Sequence, residues 1–182
     1  MARLEVRVVG FGGQGIILTG YILGKAAALY DKQFATLTQA YGPEARGGAC
    51  RAEVVISDEE VDYPRVIRPN VLAIMSQEGF SRFGKDLAEG GHLLIDNELV
   101  DPEGLPSHVR PLGIPATRIA EKLGRRIMAN LVMLGFLTGS TEVCSIDAME
   151  KAVGTSVPRG TEALNLQAFH QGLEYARQNH PA

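Results

Sequence analysis

Residues 4–20, LEVRVVGFGGQGIILTG, constrain this chain more than any other stretch. A run ending in Val8-Val9 stops on Gly10-Phe11-Gly12-Gly13-Gln14-Gly15 and passes straight into Ile16-Ile17-Leu18. This is a strand, a turn of the form G-x-G-x-x-G, and a helix. Glycines there permit positive φ and close backbone approach. The helix start offers free N–H groups and a partial positive charge to an anion. Gly12, Gly13, Gln14 and Gly15 are therefore candidates for backbone contact with a phosphate or cofactor; the Gln14 amide either faces the ligand or caps the helix start. A nicotinamide enzyme needs, in addition, a carboxylate at the end of its second strand to hold the ribose. Asp31 has about the right count but precedes that strand, and the strand's end, Thr38-Gln39-Ala40-Tyr41, holds no carboxylate.

The alternation of strand and helix continues along the chain. Residues 14–29 carry Ile16, Ile17, Leu18, Ile22, Leu23, Ala26, Ala27 and Leu29 on nearly every side, the pattern of a buried helix. Gly20 and Gly24, four apart, bare one face of it for close approach to a sheet. Residues 34–40 and 49–57 read as strands, and 41–48 between them as a loop. The continuous apolar run 70–76 suits a strand buried on both faces. A helix over 77–88, strands over 92–96 and 109–114, and a helix opened by Pro115 and ending at Leu123 follow. Residues 125–138 form a strongly apolar helix, Ser145 caps a helix to Val153, and the last helix spans 161–178 with Leu166, Phe169, Leu173 and Ala176 on one stripe. A helix-free link between the second and third strands makes the sheet mixed. The expectation is one α/β domain over residues 1–182, in three layers α/β/α, with a mixed, mostly parallel sheet.

Composition narrows the function classes. The formal net charge is −3 and the tightest basic pair is Arg125-Arg126, which argues against a nucleic-acid surface. The two cysteines, Cys50 and Cys144, form no C-x-x-C and lie near no histidine pair. An iron–sulfur cluster or zinc site needs more closely spaced ligands than these thiols supply. They read as free thiols of a reducing cytosol. The apolar run Ile127 to Leu137 is shorter than the ~20 residues that span a bilayer. With no leader visible, the chain reads as cytoplasmic. His92, His108, His170 and His180 are dispersed, and Ser76 lacks the preceding glycine of a nucleophile elbow. No residue stands out as catalytic or metal-binding.

A second glycine loop is more distinctive: Tyr41-Gly42-Pro43-Glu44-Ala45-Arg46-Gly47-Gly48. Arg46 carries a planar donor fork suited to phosphate or carboxylate. Gly47 and Gly48 admit a ligand or partner chain close to the backbone, and Tyr41 places its hydroxyl at a subunit contact or fills the core edge. Together with Gly10–Gly15, Ala52-Glu53-Val54-Val55-Ile56-Ser57, Asp62-Tyr63-Pro64, Asn130, and Asn165 with Phe169 and Gly172, this loop makes the chain similar to the gamma subunit of 2-oxoacid:ferredoxin oxidoreductases. The resemblance covers essentially the whole chain.

It implies membership of an enzyme that decarboxylates a 2-oxoacid oxidatively, transfers the acyl group to coenzyme A and reduces ferredoxin. Thiamine diphosphate, Mg²⁺ and [4Fe–4S] clusters would belong to the partner alpha, beta and possibly delta subunits. The gamma chain would hold no cofactor alone, help enclose the active centre and bind coenzyme A. The implied contacts are Gly12, Gly13, Gln14 and Gly15 on one wall, and Tyr41, Arg46, Gly47 and Gly48 on the other. The stretches at 45–48 and 57–60 look most like the 2-oxoglutarate-type members. The alternatives are a freestanding NAD(P)-dependent oxidoreductase and a non-catalytic interaction module with empty glycine loops.

Overall fold

The computed structural model describes residues 3–41 and 49–180. Six strands, β1 (Leu4–Phe11), β2 (Phe34–Tyr41), β3 (Ala49–Ser57), β4 (Val71–Ile74), β5 (His92–Asp96) and β6 (Leu112–Ile114), form one sheet in the order β2-β3-β1-β4-β5-β6. β3 is antiparallel to both neighbours, and β1, β4, β5 and β6 run parallel. The sheet is thus mixed and mostly parallel, as the short link after β2 requires. The parallel strands are shorter than their apolar runs: β4 covers 71–74 of the apolar 70–76, and β6 covers 112–114 of 109–114. The lost end of β4 becomes a crossing onto the next helix, where Met75 N–H bonds to Val9 O (2.8 Å) outside the ladder, while 109–111 ahead of β6 are irregular chain entering the sheet.

Strand alternation sorts side chains onto two unequal faces. On the larger face Val6, Val8, Ala52, Val54, Ala73 and Leu94 meet five helices: α1 (Ile16–Lys25), α3 (Ala116–Lys122), α4 (Ala129–Ser140), α5 (Ile146–Gly154) and α6 (Glu162–Asn179). On the other face Val9, Leu72, Ile74, Leu93 and Ile95 meet Phe80 and Phe83 of α2 (Gln77–Phe83). α2 stops at Phe83 because the chain turns there: Gly84 caps it and Asp86 N–H returns to Phe83 O. α1 ends in a π-turn, Ala26–Tyr30, and Leu29 is half-exposed rather than buried. The expected helix from 125 begins as a 3₁₀ turn, Arg126–Met128, before α4.

Small residues set the interlayer distances. A Cβ on Gly20 of α1 would lie 2.5 Å from Ala52 Cβ, so the helix sits directly on β3 there. Gly24 has only ordinary room, a Cβ lying 3.8 Å from Val54, so of the pair Gly20 does the work. α4 is buried on all sides over residues 129–138, and it crosses α6 at a point of backbone contact. A Cβ on Gly135 would collide with the Phe169 carbonyl, and one on Gly172 with the Val132 carbonyl. Backbone cannot swing aside as a side chain can, so the crossing must open. Gly135→Ala should therefore cost about 1–3 kcal/mol. A thermal melt should show a Tm lower by roughly 2–12 °C; an unchanged Tm would contradict the close crossing.

Asp31 serves the same architecture. Its carboxylate accepts from Ser145 N–H (2.8 Å) and Ser145 Oγ (2.6 Å), while Ser145 Oγ accepts from Ala148 N–H (3.2 Å) and caps α5. Burial first, and then the charge and hydrogen bond of Asp31, push the neighbouring Cys144 thiol up to about 12. A raised thiol pKa means less thiolate at any pH below it. At pH 8 Cys144 in the folded chain should react with iodoacetamide about a thousandfold more slowly than after unfolding. Comparable rates in both states would show that the thiol is not held by this environment.

Candidate functional site

β1 hands the chain to α1 on the larger face, and β4 hands it to α2 on the other. The carboxyl ends of β1 and β4 therefore diverge around a crevice, the place where ligands of open α/β sheets gather. Gln14 spans it. Its Oε1 accepts from Phe11 N–H (2.6 Å), its Nε2 donates to Met75 O (3.0 Å), and its own N–H donates to Phe11 O (3.1 Å). Gln14 thus commits its main-chain N–H, its Oε1 and one Nε2 N–H inside the loop, while it still lines the edge of a cavity beside the turn. Gly10 is glycine because a Cβ there would collide with Gln14 Oε1.

What faces outward is the backbone of the turn. Gly13 (φ +96°) has open space where a Cβ would be, and Gly15 (φ +76°) is the left-handed residue before α1. Among the described residues no side chain caps α1, and no acidic residue lies in its first turn. The first helical hydrogen bond is Thr19 N–H to Gly15 O (2.9 Å), so the amides ahead of it are available at a positive helix end. Gly15 O also accepts from Thr19 Oγ1 (3.0 Å) and Asn130 Nδ2 (3.3 Å). Three donors on one carbonyl fix the peptide plane from which α1 starts.

Two cavities flank this turn. One of about 300 Å³, largely apolar, is lined by Gly15, Leu18, Met128, Asn130 and Leu164, with Arg125 at its rim. The other, of about 260 Å³, reaches Gly13, Gln14, Thr117 and Arg126. Ile127, 65% exposed, stands between them. Arg126 makes a loose, exposed pair with Glu121 (3.4 Å), while Arg125 has no carboxylate partner among the described residues. Free helix amides, two guanidiniums and an apolar recess can together seat an elongated molecule with phosphates and an apolar portion.

The turn Gly12, Gly13, Gly15 therefore forms an anion-competent corner. Tyr41, the last residue of β2, pairs with Cys50, which also pairs with Gly10, so β2 ends at the same sheet edge as β1. Arg46, Gly47 and Gly48 lie outside the described residues. Arg125, Arg126, Ile127 and Thr117 carry little signal in the sequence beyond the basic doublet at the head of an apolar helix. Asn130 had a polar-in-apolar signature, and the fold resolves it as a tie to the glycine turn. Asp31, the one residue near the ribose-binding count, is engaged with Ser145 instead. Among the described residues no three His, Cys, Asp or Glu side chains come together as a metal site.

The Gly15–Asn130 contact is testable by a double-mutant cycle. Gly15→Ala forces a Cβ onto Asn130 Nδ2 and strains φ. Asn130→Ala relieves the collision but not the strain. The two should be non-additive by at least about 0.5 kcal/mol in chemical denaturation; strict additivity would mean that the contact does not exist.

With this geometry in hand, comparison with known proteins is direct. The family model described as pyruvate ferredoxin/flavodoxin oxidoreductase matches residues 5–175. The 2-oxoglutarate synthase subunit KorC of Methanocaldococcus jannaschii is 53% identical over 178 residues, 97% of this chain and 95% of that one. The crystal structure of a keto/oxoacid ferredoxin oxidoreductase gamma subunit from Geobacter sulfurreducens superposes with TM-score 0.84 at 40% identity, covering 96% of this chain and 99% of that one. A 2-oxoglutarate:ferredoxin oxidoreductase from Magnetococcus marinus, solved with 2-oxoglutarate, coenzyme A and succinyl-CoA bound, shares the fold at TM-score 0.90 and 22% identity. There the match covers all of this chain but 32% of that longer one. The chain belongs to the pyruvate ferredoxin/flavodoxin oxidoreductase family, as a gamma subunit.

Proposed function

We propose that this chain is the coenzyme A-facing gamma subunit of a 2-oxoglutarate:ferredoxin oxidoreductase, and that it takes no part in electron transfer. The observation that carries the reading is the uncapped start of α1 at Gly12–Gly15, opening on cavities rimmed by Arg125 and Arg126. Coenzyme A has phosphates for the amides and guanidiniums and an apolar pantetheine arm for a recess. The Magnetococcus relative, which binds coenzyme A, supports it, and the KorC relative of Methanocaldococcus supports 2-oxoglutarate as the oxoacid.

The chemistry of the residues fits a supporting role. Two cysteines cannot ligate a [4Fe–4S] cluster, which takes four thiolates. As the family resemblance implies, we assign thiamine diphosphate, Mg²⁺, the clusters and the ferredoxin contact to partner subunits, alpha and beta foremost, in a cytoplasmic complex. This chain's residues bind and orient. The amides after Gly15 hold phosphate oxygens, Arg125 and Arg126 neutralise them, and Ile127 divides the site and excludes water between its halves. Arg46, Gly47 and Gly48, with Tyr41, close the opposite wall. A freestanding nicotinamide enzyme is disfavoured by the engagement of Asp31 with α5.

Arg125→Ala and Arg46→Ala are the tests. Each should raise the KM for coenzyme A in the assembled enzyme about tenfold, the value of one charge-assisted hydrogen bond, with kcat and the subunit's melting curve preserved. An unchanged KM in both variants would favour a pure interaction module.

A further inference from the structure

On the sheet face covered by α2 among the described residues, three guanidiniums converge on one phenyl ring. The guanidinium carbons of Arg7, Arg51 and Arg82 lie 5.3, 5.3 and 5.4 Å from the centroid of Phe83, itself a buried residue. Arg7 is spent: it holds Glu53 (2.7 Å), Asp86 (2.6 Å) and the Val66 carbonyl (3.0 Å). Arg51 Nε lies 3.4 Å from the same Glu53 oxygen without hydrogen-bond geometry, and a third of its side chain is open to solvent. Arg82 is exposed and has no carboxylate partner among the described residues; Glu78, one turn earlier on α2, makes no ion pair with it. The cluster thus holds one more cation than its two carboxylates neutralise, on a chain whose net charge is negative.

We propose that Arg51 and Arg82, propped on Phe83, are a docking point for carboxylate side chains of a neighbouring subunit of the complex. This rests on the reading of the chain as one subunit of a larger oxidoreductase. Charge complementarity selects the occupant. Like charges held together on an aromatic face favour an anionic group that satisfies both planar forks. The two guanidiniums are at most about 11 Å apart, since each lies within 5.4 Å of one centroid. Two acidic side chains one helical turn apart, about 5–6 Å between Cβ atoms, fit within that span. Neither arginine lines the cavities beside the glycine turn, so this is a different surface from the proposed coenzyme A corner. The thin helix cover of this face leaves room for the partner.

The test uses the gamma chain and its sister subunits purified separately and recombined. Arg82→Glu should weaken assembly at least about tenfold at low ionic strength, and the difference should shrink at high salt. Arg51→Glu should do the same. Arg177→Glu, an equal charge change at an exposed position on α6, should leave assembly within about twofold. Unaltered melting curves of the free variants exclude misfolding. Normal assembly of Arg82→Glu overturns the proposal, as does equal weakening by Arg177→Glu. Normal assembly with a raised coenzyme A KM also overturns it, and assigns the cluster to the ligand. If assembly fails as expected while coenzyme A saturation ignores Arg125 and Arg46, docking stands and the coenzyme A reading falls.

Discussion

The Gln14 side chain holds the functional edge of this protein together. Its amide joins the end of β1 to the carbonyl of Met75 beyond β4, across the crevice where α1 and α2 leave on opposite faces. Two strands that diverge at a sheet edge would otherwise leave backbone polar groups facing each other unpaired, which buried structure avoids. The clamp demands glycine at position 10, because the folded-back side chain occupies the space of a Cβ. It also holds the Gln14 side chain back over the loop, so the turn addresses its surroundings largely with main chain. Gln14 is the reason that Gly13 and the amides after Gly15 are held outward as a preformed corner.

The same corner is braced from the far side by α4. Asn130 is 2% exposed among Leu131, Val132 and Met133, and a polar amide there needs a partner. It finds the Gly15 carbonyl. α4 can reach that far because it is buried on all sides and seated against α6 at two glycines, where backbone meets backbone. Small residues at the helix crossing thus fix the depth of α4, and that depth fixes the glycine turn.

The two faces of the sheet divide the labour. The larger face, with five helices, makes the core and the cavities beside the turn. The other carries one short helix and an ion cluster in which Arg7 is buried with Glu53. A buried pair of this kind is weak evidence for stability, since desolvation offsets most of its attraction. It does make sense as the anchor of a charged surface: Arg7 and Phe83 form the floor on which Arg51 and Arg82 rest.

Local rules made much of this legible in advance. Period-two and continuous apolar runs marked the strands, glycine turns marked both loops, and the helix-free link after β2 required an antiparallel strand. The paired loops identified the family. Element ends differ from the local pattern: β4 ends early because chain leaving a sheet keeps its apolar residues while losing its ladder, and α2 ends early at the turn through Gly84. The site was half-readable. Gly12, Gly13 and Gly15 mark the turn in the sequence, but Arg125, Arg126 and Ile127 come beside it only because of the way α4 packs. Gln14 turned inward because its amide meets Met75, 61 residues away, and Asn130 meets Gly15 across 115. The sequence alone determined the elements, the layers and the family, since these follow from local periodicity and short motifs. Which polar groups face a ligand and which are consumed in holding the fold was decided only by tertiary structure, because those pairings join residues that no local pattern connects.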